Sequence, residues 1–352
     1  MRERRDHPRM SSSSGSRAAT GSAAPYAVAA IAQGDDWRLA VDLALHEALD
    51  GQATPPDLVL LFASSWYAPH YPDLLREVHQ RSRAGCLVGC SSSGVLAGAT
   101  SIEQGPCLAL MALWLPGATL TPVRLHQATL DLMDAPEAWR AQGMPAPEET
   151  RALLLLADPF RLDVQEAVAR LAARFPGTPM IGAAASSAGQ DRRVWVFFDG
   201  QVYDEGGVAL AIGGPYDLRV VVSQGAEPIG EAWTVTGVER NRITSISNRR
   251  ALDVLRETIA TVPAAERAGT ERNLLVGFPV DEYQHQFHRG EFVVRGLLGV
   301  DEAQGALVVG GLPRLGQTIQ FQRRDPRSSS LDLHQMLVEA RAMVAGEALV
   351  AG

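Results

Sequence analysis

Cys86-Leu-Val-Gly-Cys-Ser-Ser-Ser-Gly-Val95 is a short apolar strand running straight into a loop of small residues, Gly89 to Gly94. Met180-Ile-Gly-Ala-Ala-Ala-Ser-Ser-Ala-Gly189 is a near-copy of it. The segments ahead of the two copies match as well. Leu58–Ser64 and Ala152–Pro159 both read as buried strands, each followed by a helical segment, Tyr71–Arg83 and Asp163–Arg174. Leu58 to Val88 is 30 positions and Ala152 to Ile181 is 29. A further apolar strand closes each unit, Leu108–Leu115 and Val208–Gly213. Order and spacing together predict a strand–helix–strand unit present twice.

Outward from that pair, the rest of the chain falls into place. Residues 1–24 are polar and rich in Ser, Arg and Gly, the composition of a disordered tail. Tyr26–Ile31 reads as a first strand, and Asp35-Asp36 caps a helix over Trp37–Leu49. Residues 136–147 carry three prolines and a glycine, a loop or short helix between the two units. Arg193–Phe198 and Gln201–Tyr203, joined by Asp199-Gly200, form a hairpin. Beyond Pro215 the texture turns β-rich. Strands are expected at Leu218–Gly225, Trp233–Glu239, Arg242–Ile246, Asn273–Val280, Glu291–Val300 and Gly316–Arg323. Helices are expected at Arg250–Ile259 and Leu331–Leu349. The predicted class is α/β, with two mixed-sheet domains flanked by helices, at 25–214 and 215–352, the first carrying the internal duplication.

Composition excludes several chemistries. The 352 residues suffice for two domains, with 46% hydrophobic and 20% charged residues. All 32 basic residues are arginine, so no Schiff-base lysine, P-loop lysine or lysine general base exists. A net charge of -8 argues against a broad nucleic-acid face. The N-terminus lacks an apolar secretory core, and no apolar run reaches the ~18 residues of a spanning helix. Of the three cysteines, Cys86 and Cys90 on one strand face would lie about 13 Å apart, beyond disulfide reach. Reduced thiols in a cytoplasmic protein are the expectation, with no cofactor and no metal.

The candidate site residues follow from the loops. Gly89, Cys90, Ser91, Ser92, Ser93 and Gly94 offer backbone N–H groups and hydroxyls at a strand end, suited to a carboxylate or phosphate. Gly89 would let such a ligand approach closely; a tight turn needing small residues would use the same composition. Ser186 and Ser187 are the counterparts in the second copy. Asp158, at a strand end before Pro159, could orient a ligand amine or cap the next helix. Ser223 and Gln224 end the Leu218 strand and could form a second pocket wall. Arg295 lies in an apolar strand and needs an anion, which Asp301, Glu282 or a ligand could supply. Cys90 or Ser91 could be a nucleophile, although no histidine is near in sequence. Glu282, His285 and His288 have a metal-like spacing within what reads as a solvated loop.

Several of these stretches together resemble the FIST-N/FIST-C family of sensory proteins. The matching segments are Val88–Val95, Leu155–Phe160 and Ile181–Ser187 in the first half. The second half adds Val222–Gly230, Arg249–Leu255, Phe292–Asp301 and Gly316–Phe321. The likeness runs in family order over roughly residues 26–350. It implies an intracellular sensing module of bacterial signal transduction. Its partners would be a small ligand, such as an amino acid or other carboxylate, and a signalling output protein, not nucleic acid or membrane. Two departures stand out: Ala183–Ala185 is less polar than its first-half counterpart, and the chain stops at Gly352 where the family usually continues, so a truncated second domain is expected. The competing readings are a hydrolase or acyl-transfer enzyme using Cys90 or Ser91, and a non-catalytic scaffold.

Overall fold

A computed structural model of the chain describes residues 24–133, 135–188, 192–282, 287 and 291–351. The expected disordered tail, apart from Ala24, lies outside the described residues, as do His285, His288 and Gly189. The chain divides into two compact units. One runs to Val220 and takes in the segment from Leu349; the other is Val221–Ala348.

The first unit begins with β1 (Tyr26–Gln33), α1 (Trp37–Leu49), β2 (Leu58–Ser64), α2 (Tyr71–Ser82) and β3 (Cys86–Ser92). A small hairpin, β4 (Val95–Ala97) and β5 (Thr100–Ile102), leads to β6 (Cys107–Trp114) and β7 (Thr119–Leu125). Two short helices, α3 (Gln127–Leu130) and α4 (Pro136–Ala141), precede β8 (Ala152–Ala157), α5 (Val164–Arg174) and β9 (Met180–Ala184). The hairpin β10 (Val196–Phe198) and β11 (Gln201–Tyr203) and the strand β12 (Gly207–Gly213) complete it.

These strands make two mixed sheets, β1-β6-β2-β3-β10-β11 and β7-β12-β8-β9. Their first four strands share one order and sense: β2 runs parallel to β3 and β8 parallel to β9, and every other pairing is antiparallel. Alternation along each strand explains the layering. On β2, Val59, Leu61 and Ala63 meet α1 and α2, while Leu58 faces the other way. On β8, Leu153, Leu155 and Ala157 meet α4 and α5 through Trp139, Ala167 and Leu171. Leu154 and Leu156 instead join Leu58, Val88, Cys90, Val208 and Leu210 in a core between the two sheets. The layers are therefore helix, sheet, sheet, helix. The helices start where side chains satisfy their first amides: Asp36 accepts from Arg38 N at 2.9 Å and Asp163 from Glu166 N at 2.9 Å. The two parallel pairs differ in one respect. β3 is clamped between β2 and β10, whereas β9 pairs only with β8 among the described residues, and Ile181 to Ala184 are exposed.

The second unit holds β13 (Glu227–Glu239), β14 (Arg242–Ile246), β15 (Arg249–Arg250), α6 (Ala251–Thr261) and α7 (Ala264–Arg272). After these come β16 (Leu274–Pro279), β17 (Phe292–Asp301), β18 (Ala306–Val309), β19 (Thr318–Arg323) and α8 (Pro326–Met343). Within the α/β class its sheet is antiparallel throughout rather than mixed. It also closes on itself, because β13 pairs with β19 at one end and with β14 at the other. Val235, Ile243, Val276, Leu307, Ile319 and Phe321 fill the interior with Leu252 and Leu255 of α6.

The segment leading into this sheet and the last helix also differ from expectation. Leu218–Gly225 forms no strand, and Val220, Val221 and Val222 are exposed. Side chains hold its end instead of a ladder. Gln224 Nε2 donates to Phe292 O, Val294 N donates to Gln224 Oε1 at 3.0 Å, and Asp332 accepts from Ser223 Oγ and Gly225 N at 2.6 and 3.0 Å. The last helix starts at Pro326, not Leu331, because Asp325 caps it through Arg327 N and Ser328 N, both at 2.9 Å, with proline at the tolerant first position.

Candidate functional site

The two small-residue loops meet. Just beyond β9, Ala185 N donates to Ala157 O at 2.8 Å, and Ser186 N donates to Ser91 O at 3.0 Å. Ser91 Oγ donates to Ser186 O at 2.9 Å and accepts from Trp195 N at 3.0 Å. Ser91 N in turn donates to Trp195 O at 2.8 Å, and Ser93 N donates to Ser186 Oγ at 3.0 Å. A further tie runs from Ala188 N to Ser65 Oγ at 2.8 Å. The C-terminal ends of β2, β3 and β9 are thus laced together, which is where parallel strands in α/β proteins present ligand sites.

Beside this lacing is a cleft of about 490 Å³ lined by Ser65, Ala68, Pro69, Ser187, Ala188, Arg193 and Trp195. Its walls mix two hydroxyls, a guanidinium, small apolar groups and one indole. Trp195 packs edgewise on Tyr71 at 5.4 Å between ring centroids, and the Arg193 guanidinium lies 5.9 Å from the Trp195 ring centroid. Tyr71 is fully buried and anchored by its hydroxyl to Ala63 O and Ser64 O at 3.0 and 2.9 Å.

Of the residues singled out in the sequence, Ser187 lines this cleft, and Ser91, Ser93 and Ser186 form the lacing beside it. Ser92 Oγ is buried without a hydrogen-bond partner among the described residues. Gly89 has a structural cause distinct from ligand approach: a Cβ there would stand 1.9 Å from Leu61 O in the neighbouring strand. Gly182 meets Leu155 O in the same way, at 2.1 Å. Gly94 is likewise confined, by Ile102 O at 2.7 Å.

Cys90 is 2% exposed in the core between the sheets, where burial pushes its thiol up to about 12. A thiol so far from ionising is a poor nucleophile, and the Ser91 hydroxyl is already committed at both donor and acceptor. Asp158 is fully buried and spends its carboxylate on its own turn, accepting from Phe160 N at 2.7 Å, Arg161 N at 3.3 Å and Arg161 Nη1 at 3.1 Å. The helix cap is Asp163 instead.

Ser223 and Gln224 belong to the second unit and are held by Asp332 and β17 as described above. Arg295 does not pair with either expected carboxylate. Asp301 is taken by Arg242 and Glu282 by Arg314 at 3.2 Å, while the half-buried Arg295 donates to Val294 O at 3.2 Å. Among the described residues no group of His, Cys, Asp and Glu could hold a metal ion.

Ser65, Pro69, Arg193 and Trp195 escaped the sequence reading. Ser65 directly follows a strand end, a position that could have marked it. In sequence Arg193 and Trp195 read as part of a hairpin strand, which starts only at Val196.

Comparison with known proteins finds two family models along the chain. The FIST N domain family matches residues 57–249 and the FIST C domain family matches residues 251–351. The chain belongs to the FIST family, whose domains are associated with sensing in signal transduction. An uncharacterized protein of Mycobacterium tuberculosis is 31% identical over 313 residues, covering 89% of this chain and 80% of its own. An uncharacterized Mycobacterium bovis protein is 30% identical over 304 residues, covering 86% and 76%. A solved cyanuric acid hydrolase aligns over 85% of this chain and 99% of its own, with 11% identity and a TM-score of 0.29, too low to bear on fold or chemistry. Among the described residues no helix is long and apolar enough to cross a membrane.

Proposed function

We propose that this protein is a cytoplasmic small-ligand sensor of bacterial signal transduction, and that its ligand, an amino acid or another small carboxylate, binds in the cleft of the first unit. The observation that carries the reading is the hydrogen-bond lacing of Ser91, Ser93 and Ser186. It aligns two equivalent strand ends beside a cleft that contains Arg193, Ser65 and Ser187. We read the two matching sheets as two copies of one strand–helix–strand unit, with the cleft at their junction. Arg193 suits a carboxylate because a guanidinium offers five N–H donors in a planar fork, enough to serve more than one acceptor. The glycine-serine loop acts as scaffold, and the groups that touch ligand are Arg193, Ser65, Ser187 and Trp195. A buried thiol pushed to about 12, and a Ser91 hydroxyl whose proton is given to a backbone carbonyl rather than to a base, favour sensing over acyl transfer.

Thermal-shift screening of amino acids and small carboxylates tests this. Ligand at a hundred times its dissociation constant stabilises by ~2.7 kcal/mol, a readily measured rise in Tm. Arg193→Gln should abolish the rise while leaving the unliganded melting temperature within a few degrees. A hit that stabilises wild type and Arg193→Gln equally would place the ligand outside this cleft.

A further inference from the structure

We propose that the carboxylate recognised in this cleft is carried on a flat aromatic or heteroaromatic body; this rests on the reading that the cleft binds a small anion. Trp195 supplies the aromatic wall. Its ring lines the cleft and is held from behind rather than free to rotate: Tyr71 meets it edgewise at 5.4 Å and 75°. Tyr71 is itself packed against Phe197 at 4.9 Å and tied by its hydroxyl to the end of β2. The backbone of Trp195 is fixed on both sides by Ser91, whose N–H and Oγ satisfy its C=O and N–H. An aromatic wall ordered before binding costs little further entropy when a ring stacks on it, and ring pairs gain energy beyond their buried area.

The other residues fit the same guest. Ala68 and Pro69 contribute apolar surface without hydrogen-bond demands, as an aromatic body requires. Arg193 holds its guanidinium over the indole, 5.9 Å from the ring centroid, so a guest ring packed against the rest of the indole places its acidic substituent within reach of the guanidinium. Ser65 and Ser187 supply hydroxyls for remaining polar atoms. Volume points the same way. A cleft of about 490 Å³ lies in the range of roughly 300–1,000 Å³ that accommodates ring-bearing ligands, and acetate or alanine would leave most of it to water.

The test is a fluorescence and calorimetric titration of the full chain with matched pairs: phenylacetate against acetate, phenylalanine against alanine, and phenylacetate against phenylacetamide. The expected result is at least a tenfold preference for the aromatic acid in each of the first two pairs. Phenylacetamide should bind at least tenfold more weakly than phenylacetate. Trp195→Leu should erase the aromatic preference but retain weak carboxylate binding, and Trp195→Phe, the variant to use if leucine does not fold, should keep it in part. Aliphatic acids binding as tightly as their aromatic partners would overturn this inference and leave the carboxylate site standing. So would a preference that survives in Trp195→Leu. Phenylacetamide binding as well as phenylacetate would remove the carboxylate from the proposal. If no acid of either kind binds, the reading of the cleft falls with it.

Discussion

Three adjacent serines that look interchangeable in sequence should behave very differently when replaced by alanine. Ser91 is fully buried, and its hydroxyl accepts from Trp195 N at 3.0 Å and donates to Ser186 O at 2.9 Å. Ser91→Ala leaves an N–H and a C=O without these partners, and each unsatisfied buried group costs about 1–3 kcal/mol. Ser186 is only half-buried, so water can partly rescue its carbonyl, and the expected loss is ~2–4 kcal/mol. For a unit of this size that corresponds to a drop in Tm of about 5–15 °C. Ser92 is the reverse case. Its Oγ is buried without a partner among the described residues, so Ser92→Ala removes a desolvated hydroxyl and should be neutral or stabilising by up to ~1 kcal/mol. Ser93 is exposed and contributes its backbone N–H, which alanine keeps, so Ser93→Ala should stay within ~0.5 kcal/mol of wild type. Urea unfolding followed by tryptophan fluorescence, fitted to the transition of the first unit, gives all three values. A Ser91→Ala loss under ~0.5 kcal/mol, or a Ser92→Ala loss as large as that of Ser91→Ala, would refute the hydrogen-bond lacing.

Gly89→Ala and Gly182→Ala both drive a Cβ into a backbone carbonyl, at 1.9 and 2.1 Å, so both should destabilise, by ~3 kcal/mol or more for Gly89. Gly182 should cost less, because among the described residues β9 pairs on one side only and can shift away; equal losses in denaturant unfolding would contradict the edge position of β9. Burial raises the thiols of Cys86 and Cys90 from an unfolded value near 9 to about 12. Their contribution to stability is therefore complete below pH 9 and is lost as pH rises through 9 to 12, since only the unfolded chain ionises there. Cys90→Ala should flatten that alkaline loss in a pH series of urea midpoints, and Cys90 should react slowly with thiol reagents at pH 7; an unchanged slope or rapid labelling would count against its burial. Asp158→Asn removes the charge facing Arg161 but keeps an acceptor for Phe160 N, so it should cost ~1–2 kcal/mol without altering ligand affinity, as calorimetry would show.

Much of the fold is legible in the residues because strand alternation and helix caps are local signals. Val59, Leu61 and Ala63 against Leu58 already sort into the two faces of β2, and Asp36 and Asp163 mark helix starts within one residue. The parallel sense of β2–β3 and β8–β9 follows from the helix between each pair. What fails to show in sequence is competition from distant side chains. Leu218-Arg-Val-Val-Val222 has strong strand propensity, yet Gln224 and Asp332 fix the end of that segment through side-chain hydrogen bonds instead. Closure of the second unit depends on β13 and β17 bending at register shifts, which no periodicity announces. The site divides similarly. The glycine-serine loops were visible as a matched pair, but their meeting through Ser91 and Ser186 spans 95 residues. Arg193 and Trp195 gained their place only because the hairpin strand starts after them. Arg295 in an apolar strand calls for an anion, yet the two acids expected to supply it pair with Arg242 and Arg314.

Hydrogen–deuterium exchange of the full chain, with and without a saturating carboxylate hit, addresses ligand binding at the cleft most directly. Ligand seated there should slow exchange at Ser65 to Ala68, at Ser187 and Ala188 and at Trp195, and the protection should vanish in Arg193→Gln. Protection confined to other segments, with these amides unchanged, would contradict the account.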